Sequence, residues 1–193
     1  MTQALRIGFC LCGSFCTFEK AYAEMRRLIA GGMEVTPILS FNAVSTDTRF
    51  GRAEEWKQRM EALTGHAALT TLTAVEPIGP KGYFDVLVVA PCTGTTLGKL
   101  ANGISDTPVT LAVKSHLRRS RPVVIAVSTN DALGASFRSI ASLKSVKHLY
   151  FVPMGQDDVV NKPNSLVADF TRLDETIACS MAGMQIQPLF FSV

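Results

Sequence analysis

Charge is scarce in this chain. Asp, Glu, Lys and Arg make up 18% of the 193 residues against 47% hydrophobic residues, a balance that excludes a disordered, self-repelling polypeptide and implies a buried core. The net charge is only +3, and the basic residues gather only between Lys114 and Arg121. That patch is short and isolated, so it is read as a solvated helix end and nucleic acid is not an expected partner. Apolar runs of membrane-spanning length are also missing, as is the charged, apolar and small-residue pattern of a secretory signal. The expectation is a cytoplasmic protein with no membrane partner. There is no CxxC, and His66, His116 and His148 are scattered, so no metal site is expected. Five cysteines, an odd number, point to reduced thiols rather than a disulfide framework, and Cys10, Cys12 and Cys16 are read as buried and inert. Finally, no G-x-G-x-x-G follows the first strand, which argues against a nicotinamide dinucleotide site.

The chain is organised around the stretch from Val86 to Gly103. It opens as an apolar, β-branched run, breaks at Pro91 and Gly94, and resumes with Leu97, Leu100, Ala101 and Ile104 at helical spacing. A buried strand, a tight turn and a helix follow from that pattern. Thr93, Thr95 and Thr96 supply hydroxyls, Gly94 allows close backbone approach, and the amides of the helix start favour a phosphate. An ordinary strand-to-helix connection with hydroxyl caps explains the same residues.

Elsewhere strands and helices alternate. Leu5 to Cys12 is a first strand, turned at Gly13-Ser14 into a helix whose apolar residues Phe18, Ala21, Tyr22, Met25, Leu28 and Ile29 fall on one stripe and which stops at Gly31-Gly32. Val35 to Ser40 is a second strand, which Pro37 keeps from a fully bonded central place. Phe41 to Arg52 reads as a polar loop before a helix carrying Trp56, Met60 and Leu63. Ala68 to Val75 suggests a short strand and Glu76 to Gly82 a loop. Asp106 or Thr107 caps a helix beginning at Pro108, Pro122 to Val127 is a buried strand, and Leu133, Phe137, Ile140 and Ala141 mark another helix. A further strand spans Leu149 to Val152, after a polar segment Ser165 opens a helix through Met181, and the apolar run Pro188 to Val193 must dock somewhere. This pattern predicts an α/β, three-layer, Rossmann-like (flavodoxin-like) fold with a central parallel sheet. It forms one domain over residues 1–193, with 156–193 an extension that packs on the core or on a neighbouring subunit. Loops leaving strand C-terminal ends border the crevice of such a sheet, so Ser40, Asn42, Arg49, Arg52 and the Ser128-Thr129-Asn130 turn are candidate ligand contacts.

With the Gly13-Ser14 turn and the segment from Pro91 to Val109 in hand, the chain resembles the flavoprotein superfamily of homo-oligomeric flavin-containing cysteine decarboxylases and flavin prenyltransferases. Their Pro-x-x-x-Asn/Thr-Thr and Lys-x-Ala-x-Gly-x-x-Asp patterns stand here as Pro91-Cys-Thr-Gly-Thr-Thr96 and Lys99-Leu-Ala-Asn-Gly-Ile-Ser-Asp106. Within it, Glu76 to Pro80, Gly155 to Asp158 and Asn161 to Asp169 resemble the family of dipicolinate synthase B subunits. The resemblance implies FMN as cofactor, held by Gly13, Ser14, Phe15, Ser40, Asn42, Pro91, Cys92, Thr93, Gly94, Thr95, Thr96, Asp106, Ser128, Thr129 and Asn130. It implies a trimer or a dodecamer built from trimers, and the dehydrogenase-like A subunit of dipicolinate synthase as partner. The implied activity is joint conversion of a dihydrodipicolinate-type intermediate to dipicolinate in the mother cell of a sporulating bacterium.

Two departures narrow the activity. The decarboxylases carry a histidine just before the central strand, and Thr70 to Asp85 contains none; their Pro-Ala-Met-Asn motif is reduced to the Asn of Ser128-Thr129-Asn130. Both argue against cysteine decarboxylation. A small dicarboxylate substrate calls for cations, and Arg49 and Arg52 are the candidates, with Lys99 behind them. No residue stands out as a general base; Asp106 and Glu76 serve equally well as structural groups. A flavin-dependent oxidoreductase component and a non-catalytic partner of the A subunit with a vestigial phosphate site stand as alternatives.

Overall fold

The computed structural model describes residues 4–191, and its spine is a run of strands buried on both faces. β1 (Arg6–Leu11), β2 (Glu34–Leu39), β3 (Val86–Cys92), β4 (Val123–Thr129) and β5 (Leu149–Phe151) pair in parallel in the order 2-1-3-4-5. Two short strands, β6 (Met154–Gly155) and β7 (Leu166–Ala168), are antiparallel; β7 pairs with the end of β4 at Ser128 and Thr129. The sheet is thus mostly parallel, as expected, with an antiparallel corner that the alternating pattern does not show.

Side-chain alternation along β3 divides the core. Val86, Val88 and Ala90 face Phe18, Met25, Trp56, Met60 and Leu173, while Leu87, Val89 and Cys92 face Leu97, Val109, Val113 and Ile140. The first layer comprises α1 (Phe18–Ala30), α3 (Ala53–Thr64) and α9 (Leu173–Met181). The second comprises α6 (Gly94–Ala101), α7 (Pro108–Leu117) and α8 (Phe137–Lys144). Three short helices fill connections: α2 (Phe41–Ser45), α4 (Leu72–Val75) and α5 (Ile78–Lys81). Full burial of one such side chain stabilises the fold by about 1.5–3 kcal/mol, so this double layer is the main source of stability.

Several local expectations are corrected. The segment expected as a polar loop after β2 begins as α2, because the Ser40 hydroxyl caps the Ala43 amide. Ala68 to Val75 is not a strand: only Leu69 bridges to β2, and Thr71 then caps α4. The Pro/Gly-rich segment closes a helical turn, α5, which ends at Gly82. Ser165 opens no helix; the chain pairs as β7, and α9 begins only at Leu173. Leu133 lies in a turn ahead of α8, and both it and Phe137 are exposed. β3 continues through Pro91 to Cys92 with a register shift after Val89, so the proline bends the strand without ending it. Thr107, not Asp106, caps α7, exchanging bonds with Thr110. Near the C-terminus the Met154 amide bonds to the Leu189 carbonyl at 2.9 Å; Ser192 and Val193, the close of the apolar run, lie outside the described residues.

At the edge of the sheet where the strands begin, Arg6 grips Asp85 with side-chain bonds of 2.7 and 3.1 Å, and its guanidinium holds that carboxyl below the usual range. His116 lies behind this pair, 1% exposed, with Nε2 unpartnered. Burial, with the nearby Arg121 charge, lowers its pKa from 6.5 to about 4. The unfolded chain therefore binds this proton more readily than the folded one. The contribution of neutral His116, up to about 3 kcal/mol, is present above 6.5 and is lost as the pH falls toward 4. Urea unfolding followed between those pH values should show stability rising with pH, and His116→Leu should flatten that slope.

Candidate functional site at the strand tips

From β1 the chain turns to β2 on one side and later crosses to β3 on the other. The loops leaving β1 and β3 therefore part, and a crevice opens between them. Hydrogen bonds hold the tips level. The Cys12 amide bonds to the Pro91 carbonyl at 3.2 Å, the Ser40 amide to the Leu11 carbonyl at 3.0 Å, and the Ser14 and Ser128 hydroxyls meet at 2.8 Å. Thr17 adds its hydroxyl to the Ser14 carbonyl at 2.9 Å.

The crevice has two chambers. The wider, about 680 Å³, is lined by Gly13, Ser14 and Phe15 from the first turn, Thr93, Gly94 and Thr95 from the α6 start, and Ser128, Thr129 and Asn130 from the β4 tip. Arg49 and Phe50 close one side. The smaller chamber, about 250 Å³, shares Gly13, Thr93 and Thr95 and adds Ser40, Asn42, Thr96 and Lys99. Most of the expected contacts thus converge on one place although they come from five separate segments of the chain.

Four expected residues do not line it. Pro91 and Cys92 are buried within β3, where Cys92 faces the core. Asp106 lies beyond α6 and is engaged by Lys99 Nζ at 2.8 and 2.9 Å, which lowers its pKa. Arg52 precedes α3, is exposed, and reaches Glu55 at 3.8 Å. In each case the sequence pattern located the segment but could not tell which face of it meets the crevice.

Conversely, Cys16, Thr17, Lys20, Asp131, Asp157 and Lys162 line the wide chamber without having been singled out as contacts. Cys16 is exposed, unlike the buried Cys10, Cys12 and Cys92, and so departs from the expectation of an inert core thiol. Burial pushes the Cys12 thiol up to about 11 and keeps it protonated. Lys20 follows Phe18 on the first turn of α1, and only the orientation of α1 brings it to the rim. Asp157 and Lys162 come from the polar segment after β6 and pair at 3.1 Å.

Asp131 is fixed by hydroxyls. Thr129 donates to its Oδ1, and Ser136 donates to both carboxylate oxygens at 3.0 Å. This cluster corrects the reason for Gly94. A Cβ there would stand 2.5 Å from Ser136 Oγ and 2.8 Å from Asp131 Oδ1, so the missing side chain makes room for the protein's own polar groups rather than for a ligand. At the α6 start, Thr93 caps the Thr96 amide at 3.3 Å, which leaves the Gly94 and Thr95 amides for a partner outside the helix.

Gly94→Ala should accordingly cost about 1–3 kcal/mol. The cost should shrink in a Ser136→Ala background, because the nearest clashing atom is gone. A double-mutant cycle on chemical denaturation midpoints checks this, and strict additivity would contradict the contact.

Comparison with known proteins agrees with this geometry. The sequence profile of the flavoprotein family matches residues 1–176. The B subunit of dipicolinate synthase from Bacillus subtilis (strain 168) is 45% identical over 184 residues, 95% of this chain and 92% of the relative. The crystal structure of the dipicolinate synthase B subunit from Bacillus halodurans superposes with a TM-score of 0.90 at 40% identity, covering 100% of this chain and 99% of that one. The FMN-dependent cysteine decarboxylase SpaF superposes at 0.63 with 26% identity, covering 94% and 98%.

Proposed function

The chain belongs to the flavoprotein family, and from that premise we propose that its crevice holds FMN and serves a dipicolinate synthase. Together with a dehydrogenase-like A subunit, it converts dihydrodipicolinate to dipicolinate in the mother-cell cytoplasm of a sporulating bacterium. The observation that carries this reading is the meeting of the β1, β3 and β4 tips around two chambers of about 680 and 250 Å³ that share Gly13, Thr93 and Thr95 as walls. Pockets of roughly 300–1,000 Å³ are usual for small ligands and cofactors.

The donor set fits the group. The smaller chamber offers the hydroxyls of Ser40, Thr95 and Thr96 and the Asn42 amide, with Lys99 beside them already bonded to Asp106, which suits a phosphate at the α6 start. The wider chamber offers Phe15 and Phe50 as apolar walls, with the hydroxyls of Ser14, Ser128 and Thr129 and the amide of Asn130, which suits a ring system and its polar edge. When bound, the flavin supplies a two-electron acceptor for the dihydropyridine ring. The protein's part is to hold the substrate against it, keep water out, and offer Asp131 or Asp157 as the carboxylates at hand for the accompanying proton. Among the described residues no histidine lines either chamber: His66 lies at the surface 3.6 Å from Glu34, and His116 is in the core. That supports dehydrogenation over the decarboxylase chemistry of some relatives. The single-domain reading and assembly into a trimer or dodecamer belong to the same proposal; the exposed Phe137, Met181 and Met184 supply apolar surface for such contacts.

A non-catalytic partner of the A subunit is the second reading, and one observation favours it. The Asp131 carboxylate stands against the first residue of α6, where it opposes an incoming anion. A flavin titration separates the two. Purified protein should acquire flavin absorbance and quench FMN fluorescence, and Thr95→Ala should weaken binding about tenfold, the loss of one phosphate-directed hydrogen bond. Absence of FMN binding would leave only the second reading. Dipicolinate formation assayed with the two proteins separately and together should require the pair.

A further inference from the structure

We propose that Lys20 and Arg49 together form the recognition site for a ligand bearing two carboxylates, taken up in the wider chamber; the inference rests on the reading of this crevice as a flavin site. Five charged side chains line that chamber: Lys20, Arg49, Lys162, Asp131 and Asp157. Lys162 and Asp157 neutralise each other at 3.1 Å. Asp131 is tied to the hydroxyls of Thr129 and Ser136. Lys20 and Arg49 have no carboxylate partner among the described residues. Glu19 is gripped by Arg59 at 2.8 and 3.2 Å, and Asp47 accepts the Ala53 amide at 2.8 Å.

Both cations are exposed, and the backbone that carries each is anchored. Lys20 rides on the first turn of α1 between the buried residues Phe18 and Ala21. Arg49 sits in a tight turn closed by paired bonds between Thr48 and Gly51. The indole of the buried Trp56 donates to the Phe50 carbonyl at 3.0 Å and locks that turn to α3. Gly51 has φ +127°, and a Cβ there would press on Trp56 Nε1 at 2.7 Å, so the turn has little freedom. The Arg49 guanidinium lies 4.9 Å from the Phe50 ring centroid, beside an apolar wall fit for a flat ring.

Two unpaired cations on separate elements select a dianion, because a single carboxylate satisfies only one of them. A phosphate is also a dianion, but the hydroxyls and the α6 start of the smaller chamber already suit it. The dicarboxylate is therefore assigned to Lys20 and Arg49. It replaces the expected Arg49 and Arg52 pair, since Arg52 lies outside the chamber.

Calorimetric titration of the purified full chain with pyridine-2,6-dicarboxylate and with pyridine-2-carboxylate tests this, with FMN and riboflavin titrated in parallel. Wild type should prefer the dicarboxylate, with an affinity that falls as salt is added. Lys20→Gln and Arg49→Gln should each weaken it about tenfold and remove the preference over the monocarboxylate, whereas Lys20→Arg should retain it. The preference for FMN over riboflavin should be the same in all these proteins. Dicarboxylate affinity unchanged in both glutamine variants, or insensitive to salt in the wild type, overturns the assignment. So does loss of the FMN preference in those variants, which would make the flavin phosphate the occupant. Failure of FMN to bind while the dicarboxylate behaves as expected would instead sink the flavin reading and leave the dianion site intact.

Discussion

Burial of β1, β3 and β4 on both faces is the constraint on which the rest of the molecule depends. Apolar side chains alternate to two helical layers, so all three strands must run through the middle with their backbone groups satisfied by neighbours in the sheet. Parallel pairing then sends every connection out at the same edge. The crevice is a by-product of that arrangement: it opens where the chain reverses its direction of travel across the sheet.

Within the crevice most of the recognition chemistry is neutral. Hydroxyls bond to one another across elements, as Ser14 does to Ser128, and so fix loops that would otherwise move independently. Of the five charged side chains that line the wider chamber among the described residues, Lys162 and Asp157 cancel each other, and Lys20 and Arg49 have no carboxylate partner. Asp131 plays against them. Its position beside Gly94 costs the α6 start part of its attraction for anions, and it supplies an acceptor at the other side of the cavity. A pocket arranged in this way discriminates by where each ligand charge falls rather than by total charge.

Membership of the flavoprotein family bounds the chemistry without choosing it, because one fold can host several reactions and the side chains of the site decide which. The absence of an imidazole from both chambers and the presence of two carboxylates in the wider one change which proton transfers are available.

The strand-turn-helix at Val86 to Gly103, the helix stripe from Phe18 to Leu28 and the turn at Gly13-Ser14 were legible in the linear pattern, because burial on one face imposes a period that survives in one dimension. The small hydroxyl residues of the strand-tip turns, Ser14, Thr93, Thr95 and Ser128, were legible as segments that meet at one crevice. Other features were not. Leu166 to Ala168 reads as part of a helix until β4 offers it an edge, Pro91 and Cys92 sit in the right motif but turn inward, and Gly94 answers to Ser136 and Asp131, which lie some forty residues away. Composition and periodicity by themselves determined an α/β sheet buried on both faces and the turns at its tips, since both arise from local chemistry. Tertiary structure alone decided which charges meet in the crevice, because Lys20, Arg49, Asp131 and Lys162 become neighbours only when separate connections close around the same strand ends.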